Sequence, residues 1–195
     1  MHLDVSIKGL DRALLMLDGK KTVIPAARMA VNEAVTAGRT AYDRGVRKHW
    51  NLKTNITRKQ ITKGRKASNA TLTGIIRISG RPIDLINFGA KWKRGRITTT
   101  GKQSTFAKRS TRKGGVFVQI EKGKKTRLPH AFIARAGNHI GVFERMESRG
   151  LPIKRMAVIT MASMVEQDKI RIPTMNQISD RLNKRFLQHL DRLLR

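Results

Sequence analysis

Five histidines, His2, His49, His130, His139 and His189, are the chain's only imidazoles, and none stands at the i, i+4 or short-loop spacing that brings two of them to one metal ion. His130 and His139 lie near Glu144 in sequence, the residue types of a histidine-plus-carboxylate nuclease, but no second acidic residue stands nearby to complete a two-metal centre. Asp84, Glu121 and Lys122 approximate an acidic nuclease signature, with the lysine one residue too close to the glutamate. There is no GxxxxGKS/T phosphate loop and no GxSxG nucleophile turn. The chain has no cysteine, which excludes disulfides, zinc ribbons and thiol catalysis. The sequence therefore predicts no enzyme, no metal, no cofactor and no small-molecule substrate.

The residues present in quantity are cations. Lys plus Arg number 42 against 13 Asp plus Glu, a formal charge of +29 on 195 residues. Solubility of a small domain needs a charge of only about 2 to 8, so the excess implies a polyanionic neighbour, either nucleic acid or an acidic protein surface. Two stretches carry most of it. From residue 44 to 66 there are nine basic side chains and no acidic one, and from 91 to 127 there are thirteen against Glu121 alone. The candidate contacts are Arg58, Lys59, Lys63, Arg65 and Lys66 in the first stretch. In the second they are Lys91, Lys93, Arg94, Arg96, Lys102, Lys108, Arg109, Arg112, Lys113, Lys122, Lys124, Lys125 and Arg127. With little aromatic interleaving, such a surface contacts phosphates without reading bases. Six to eight phosphate contacts would make log K fall against log salt with a slope of roughly −5 to −7 on duplex DNA.

The elements that must position these cations are legible in part. The pattern predicts one α+β domain spanning 1–195. A mostly antiparallel sheet of about four or five strands packs against a long helix in the N-terminal half, with C-terminal helices and a long basic loop. Leu3, Val5 and Ile7 alternate as a first strand, and Leu10, Leu14, Leu15 and Leu17 precede Gly19 as a short helix. After Pro25, Ala27, Val31, Ala34, Val35, Gly38, Tyr42 and Val46 keep one apolar face, a helix of roughly 25 residues ending near Trp50. Its Ala- and Gly-rich face suits close packing within the domain, and Tyr42 and Trp50 read as packing aromatics and not as base-stacking ones.

Thr54 or Asn55 caps a short helix through Ile56 and Ile61 that Gly64 ends, and 70–79 alternates as a half-buried strand broken by Gly80 and Pro82. The apolar run 82–88 (PIDLINF) reads as a buried strand or turn from which Lys91 to Arg96 project as a basic arm. Gly, Ser, Thr and Lys dominate 95–114, a long mobile loop. Val116, Val118 and Ile120 alternate as a strand, 122–127 is a basic turn, and a strand through Ile140, Val142 and Phe143 follows a turn at Gly137 and Asn138. The second half of 151–167 is helical. Pro173 and Thr174 open an amphipathic helix over about 174–194 whose Met175, Ile178, Leu182, Phe186, Leu187, Leu190 and Leu194 share a face. It reads as a cover for the sheet, with an interaction helix for a neighbouring subunit as the alternative. No run approaches 18 apolar residues and no signal-peptide pattern opens the chain, so neither a membrane nor a secretory reading is expected.

The order RPIDLINFGAKWKRG, a variable basic loop, then TRLPHAFIARAGNHIGVFERMESRGLPIKRM resembles the phage minor tail protein Z family. The matching elements are 82–88, Ala131 to Ala134, Gly141 to Arg145 and Leu151 to Ile153, with the strand, helix and long Ala-rich helix before them. The resemblance implies a noncatalytic structural protein of a tailed phage or prophage that completes the head-proximal end of the tail and supports head–tail joining. It implies tail terminator, tail tube or head–tail connector proteins and the genome DNA end as partners. It also implies assembly as a homo-oligomeric ring such as a hexamer, in the virion near the head–tail junction and in the host cytoplasm beforehand. The alternative is a freestanding, sequence-independent nucleic-acid-binding or packaging protein.

Overall fold

The computed structural model describes residues 19–94, 96–100, 108–112, 114–146 and 152–195. The expected first strand at Leu3, Val5 and Ile7 and the short helix over 10–17 lie outside them. The Ala- and Val-spaced stretch forms helix α1, Ile24–His49, 26 residues long, entered through a π-helical turn at Gly19–Val23. One stripe of α1 is buried, from Ala26, Ala27 and Ala30 through Ala34 and Gly38 to Ala41, Tyr42 and Val46, the helical repeat that the sequence predicts. The chain divides into two compact units, one holding Met1–Arg47, Thr54–Arg81 and Thr160–Arg195, the other Lys48–Lys53 and Pro82–Ile159.

In the first unit α1 is joined by α2 (Thr54–Gln60), the antiparallel strands β1 (Ile61–Lys63) and β2 (Ile76–Ile78), α3 (Met161–Glu166) and a long last helix over Asp168–Leu194. Two short elements differ from expectation. The helix α2 ends at Gln60 because Ile61, fully buried, is the first residue of a strand facing Ile78. The strand expected over 70–79 is confined to Ile76–Ile78. Thr71 closes a turn with Ser68 instead, and both the carbonyl and the N–H of Ala67 bond the Asn32 side chain, at 3.2 and 2.9 Å, pinning this loop to α1.

The last helix also starts earlier than Pro173. Gln167 is extended and its carbonyl accepts from Ile170 and Arg171, while Asp168 sits in the first turn, where a carboxylate suits the helix dipole, and pairs with Arg171 at 2.8 Å. Full burial of Ile170 anchors that turn, so Pro173 lies inside the helix. This helix packs against α1. A Cβ on Gly38 would stand 2.7 Å from Ile178 Cδ1 and 3.0 Å from Ile76 Cδ1, so only glycine admits the approach. Ile170, Thr174, Ile178, Leu182 and Phe186 form its buried face, whereas Leu187 and Leu194, expected on that face, are 63% and 55% exposed. The burial follows the i, i+4 row to Phe186, and Leu187, about 100° round the helix, falls off it.

In the second unit the apolar run becomes β3 (Pro82–Asp84) and a 3-10 turn at Leu85–Phe88, with Ile83, Leu85 and Phe88 buried as predicted. Gly89 ends the turn at φ +71°, a left-handed conformation that favours glycine, and its N–H bonds back to Ile86. The following strands are β4 (Lys91–Lys93), β5 (Arg96–Thr100), β6 (Lys108–Arg112), β7 (Gly115–Val118), β8 (Thr126–Leu128), β9 (Ala131–Ala136), β10 (His139–Arg145), β11 (Ile153–Arg155) and β12 (Ala157–Thr160). They are not one sheet of four or five strands but several small ones, ordered β4-β7-β8, β11-β10-β9, β5-β6 and β12-β3, each pair with a resolved register being antiparallel. The 3-10 turn packs on β7 and β10, and Val116, Val118, Val142 and Phe143 complete the core. Trp50 is buried here too, beside a bridge to Glu121, and Asn51 donates from its backbone to Ile120 and from its side chain to the Phe88 carbonyl at 3.1 Å.

The stretch 95–114, expected as a mobile loop, contains a ladder. Arg96 stands opposite Arg112, Thr98 opposite Ser110 and Thr100 opposite Lys108. Low hydrophobicity suggests a loop, but RITTT and KRSTR hold four threonines, whose β-branched backbone preference suits a pleated strand.

Candidate partner-binding surfaces

The cations of the first unit are positioned by a buried polar network at the end of α1. Asp43 is buried and accepts from Arg47 Nε at 3.1 Å and Nη2 at 2.8 Å, and from the hydroxyl of buried Thr57 on α2. Burial pushes the Asp43 carboxyl up, but hydrogen bonds from Arg47 and Thr57 and the charges of Arg47 and Arg58 outweigh it and hold it below the usual carboxylate range. Arg39 adds a second tie, its Nε donating to the Ile61 carbonyl at 3.0 Å. These bonds fix α2 and the start of β1 against α1. Arg58 and Lys59 thus lie exposed in the last turn of α2, where their charges suit the helix dipole, and Lys63, Arg65 and Lys66 follow, all exposed.

Next to α1 those last three residues border a cleft of about 540 Å³, whose lining also includes Arg44 of α1 and Arg181 of the last helix. Neither Arg44 nor Arg181 was among the expected contacts. Arg44 opens the 44–66 basic stretch but stands 19 residues from Lys63, and Arg181 lies far along the chain, so only the packing of the helices and β1 brings them to the same place.

In the second unit Lys91 stands opposite Phe117, and Phe117 opposite Arg127, so the three share one face of the β4-β7-β8 sheet. Lys93, two residues on, lies 5.7 Å from the Phe117 ring centroid, in cation–π range. Lys91, Lys93 and Arg94 are exposed, as are Lys122, Lys124 and Lys125 in the turn between β7 and β8. Arg127 is half-buried, and its Nε donates to the Gly114 carbonyl at 2.8 Å, so part of its donor set serves the sheet. Arg96 lies on β5, and Lys108, Arg109 and Arg112 lie on β6. Lys102 and Lys113 lie outside the described residues. The two groups of cations belong to different units.

Trp92 is the residue that the sequence reading missed. It is 57% exposed between Lys91 and Lys93, on the opposite face of β4 from them. Its only sequence signal is the run KWKR itself. Asp84, weighed above as part of a nuclease signature, is bound instead by Arg155, whose Nε and Nη2 reach its two carboxylate oxygens at 2.6 and 2.5 Å. His139 and Glu144 stand at opposite ends of β10, five residues or about 17 Å apart along an extended strand. Among the described residues no group of three or more His, Asp or Glu side chains is placed to hold a metal ion, and no helix is long and apolar enough to cross a membrane.

Searches of curated proteins and of solved structures return no match. The family model of prophage minor tail protein Z (GPZ) matches residues 7–195, nearly the whole chain, with the buried 82–88 run, the β9–β10 hairpin and the long helices all inside the match. The chain belongs to the prophage minor tail protein Z family.

Proposed function

We propose that this phage minor tail protein completes the head-proximal end of the tail and supports head–tail joining as a noncatalytic subunit. Both units act together as one tail-completion module. Copies assemble as a ring at the head–tail junction after synthesis in the host cytoplasm, against tail terminator, tube or connector proteins. Exposed cations meet the genome end there. Family membership supports the structural tail role. The observation that carries the electrostatic part is the set of exposed side chains Lys91, Lys93, Arg94, Lys122, Lys124 and Lys125, on a chain of charge +29. Six such contacts on duplex DNA correspond to a slope of log K against log salt of about −5.

The test is particle assembly with a variant carrying Lys91→Glu, Lys93→Glu, Arg94→Glu and Arg96→Glu. The expected result is a folded protein by circular dichroism and filled heads that fail to join tails in electron micrographs. Normal infectivity of that variant, or a particle reconstruction placing the protein away from the junction, overturns the reading.

A further inference from the structure

The cleft of the first unit differs in kind from an open phosphate-binding face. Its cations come from three places: Arg44 on α1, Lys63, Arg65 and Lys66 at and after β1, and Arg181 on the last helix. None of the five has an ion-pair partner among the described residues. The one carboxylate in the lining, Glu33, is already engaged from outside it, by Arg185 Nε at 2.8 Å and His189 Nε2 at 3.0 Å, and so does not offset them. Val35, Ala37 and Ala41 of α1 line the cleft together with the exposed Thr36 and Thr40, whose hydroxyls stand with the Gln177 amide among the charges.

A nucleic-acid backbone brings phosphates for the cations but no apolar side chains for Val35, Ala37 and Ala41, against which burying apolar area is favourable. A peptide offers both. From Glu33 to Arg44 the helix rises about 16 Å, the length of roughly five extended residues, and 540 Å³ is within the ordinary range of a ligand cleft. Side chains alternate along an extended peptide, so acidic residues on one side would meet the cations while apolar ones on the other meet Ala37 and Ala41.

We infer that this cleft seats an extended acidic segment of a neighbouring protein, about five residues long, with carboxylates alternating with apolar side chains. The inference rests on the tail-assembly reading only for the source of the segment, since an assembly partner would supply it. Binding is measured on the isolated full chain, so a failure here leaves the particle test untouched and a failure there leaves this one standing.

The probe is a fluorescein-labelled heptapeptide alternating glutamate with leucine, followed by fluorescence anisotropy. A glutamate–serine heptapeptide and oligothymidylate serve as comparisons. The variants are Arg44→Glu with Arg181→Glu in the cleft, and Lys124→Glu with Lys125→Glu on the other unit. The expected result is that the cleft pair raises the Kd of the glutamate–leucine peptide at least tenfold. The remote pair changes it less than threefold, and leucine-to-serine replacement weakens binding severalfold. No peptide binding at millimolar concentration, or an equal loss in both double variants, overturns the inference. So does oligothymidylate that displaces the peptide and is itself lost only in the cleft pair, which would make the cleft a nucleic-acid site.

Discussion

The two units carry similar numbers of cations but use them differently. In the first, Arg39 and Arg47 are tied into carbonyls and the buried Asp43 carboxylate, and those ties hold other cations around a concave cleft. In the second, lysines stand exposed on short strands and a turn, above a core built from Phe88, Val116, Val118 and Val142. A site of the first kind depends on which residue sits where. A surface of the second kind depends mainly on how much charge it shows, so substitutions should separate the two.

The largest expected effect is on the core beneath the flat face. Phe88→Ala removes a fully buried ring in the second unit and should cost about 3–5 kcal/mol of stability, read from the midpoint of urea unfolding. A shift below 1 kcal/mol would mean that the 82–88 run is not the anchor described. Next is Asp43→Ala, which leaves Arg47 without its acceptor and Thr57 with the Thr54 carbonyl alone, and should cost about 1–3 kcal/mol while also weakening peptide binding at the neighbouring cleft. Because the folded-state pKa of Asp43 is depressed, its stabilisation is complete above the unfolded value of about 3.9 and disappears as pH falls through the folded value. The acid limb of the unfolding curve should therefore be shallower in Asp43→Asn. An unchanged limb would show that the network contributes nothing through charge.

Gly38→Ala sharpens the comparison from the packing side, since the added methyl forces Ile178 and Ile76 to shift. A loss of about 1–3 kcal/mol is expected, with cleft affinity reduced and the second unit's cations unaffected. The smallest effect belongs to Trp92→Ala. The exposed ring should leave stability within about 0.5 kcal/mol, and any change should appear only in partner or DNA binding. A stability loss above 1 kcal/mol would show that Trp92 is packed and not presented.

What the sequence makes legible follows from the range of the interactions concerned. The helix α1 and the buried 82–88 run were readable because each depends on a local apolar pattern. The β5–β6 ladder was not, because its threonines are too polar to register as a hydrophobic period although their backbone preference is extended. The start of the last helix was misplaced at Pro173 because burial of Ile170 and the Asp168–Arg171 pair extend it backwards. Leu187 and Leu194 show the converse, since a leucine pattern marks a possible face and only a facing neighbour buries it. The cleft was unreadable for the simplest reason. Its cations at 44, 63–66 and 181 are far apart in the chain, and four of the five lie in a stretch where every cation looks alike.

The notch at Gly38 has a consequence for the order in which the chain acquires its structure. Ile178, the residue that fills it, is made 140 positions later, so on the ribosome α1 emerges with its small-residue stripe uncovered until the final helix follows. Closing so distant a contact is slow, whereas the second unit draws on 48–159 alone and can fold before synthesis ends. Removing the last 27 helical residues should therefore leave a species with a formed sheet unit and an unclosed helical one, prone to associate through the exposed stripe of α1.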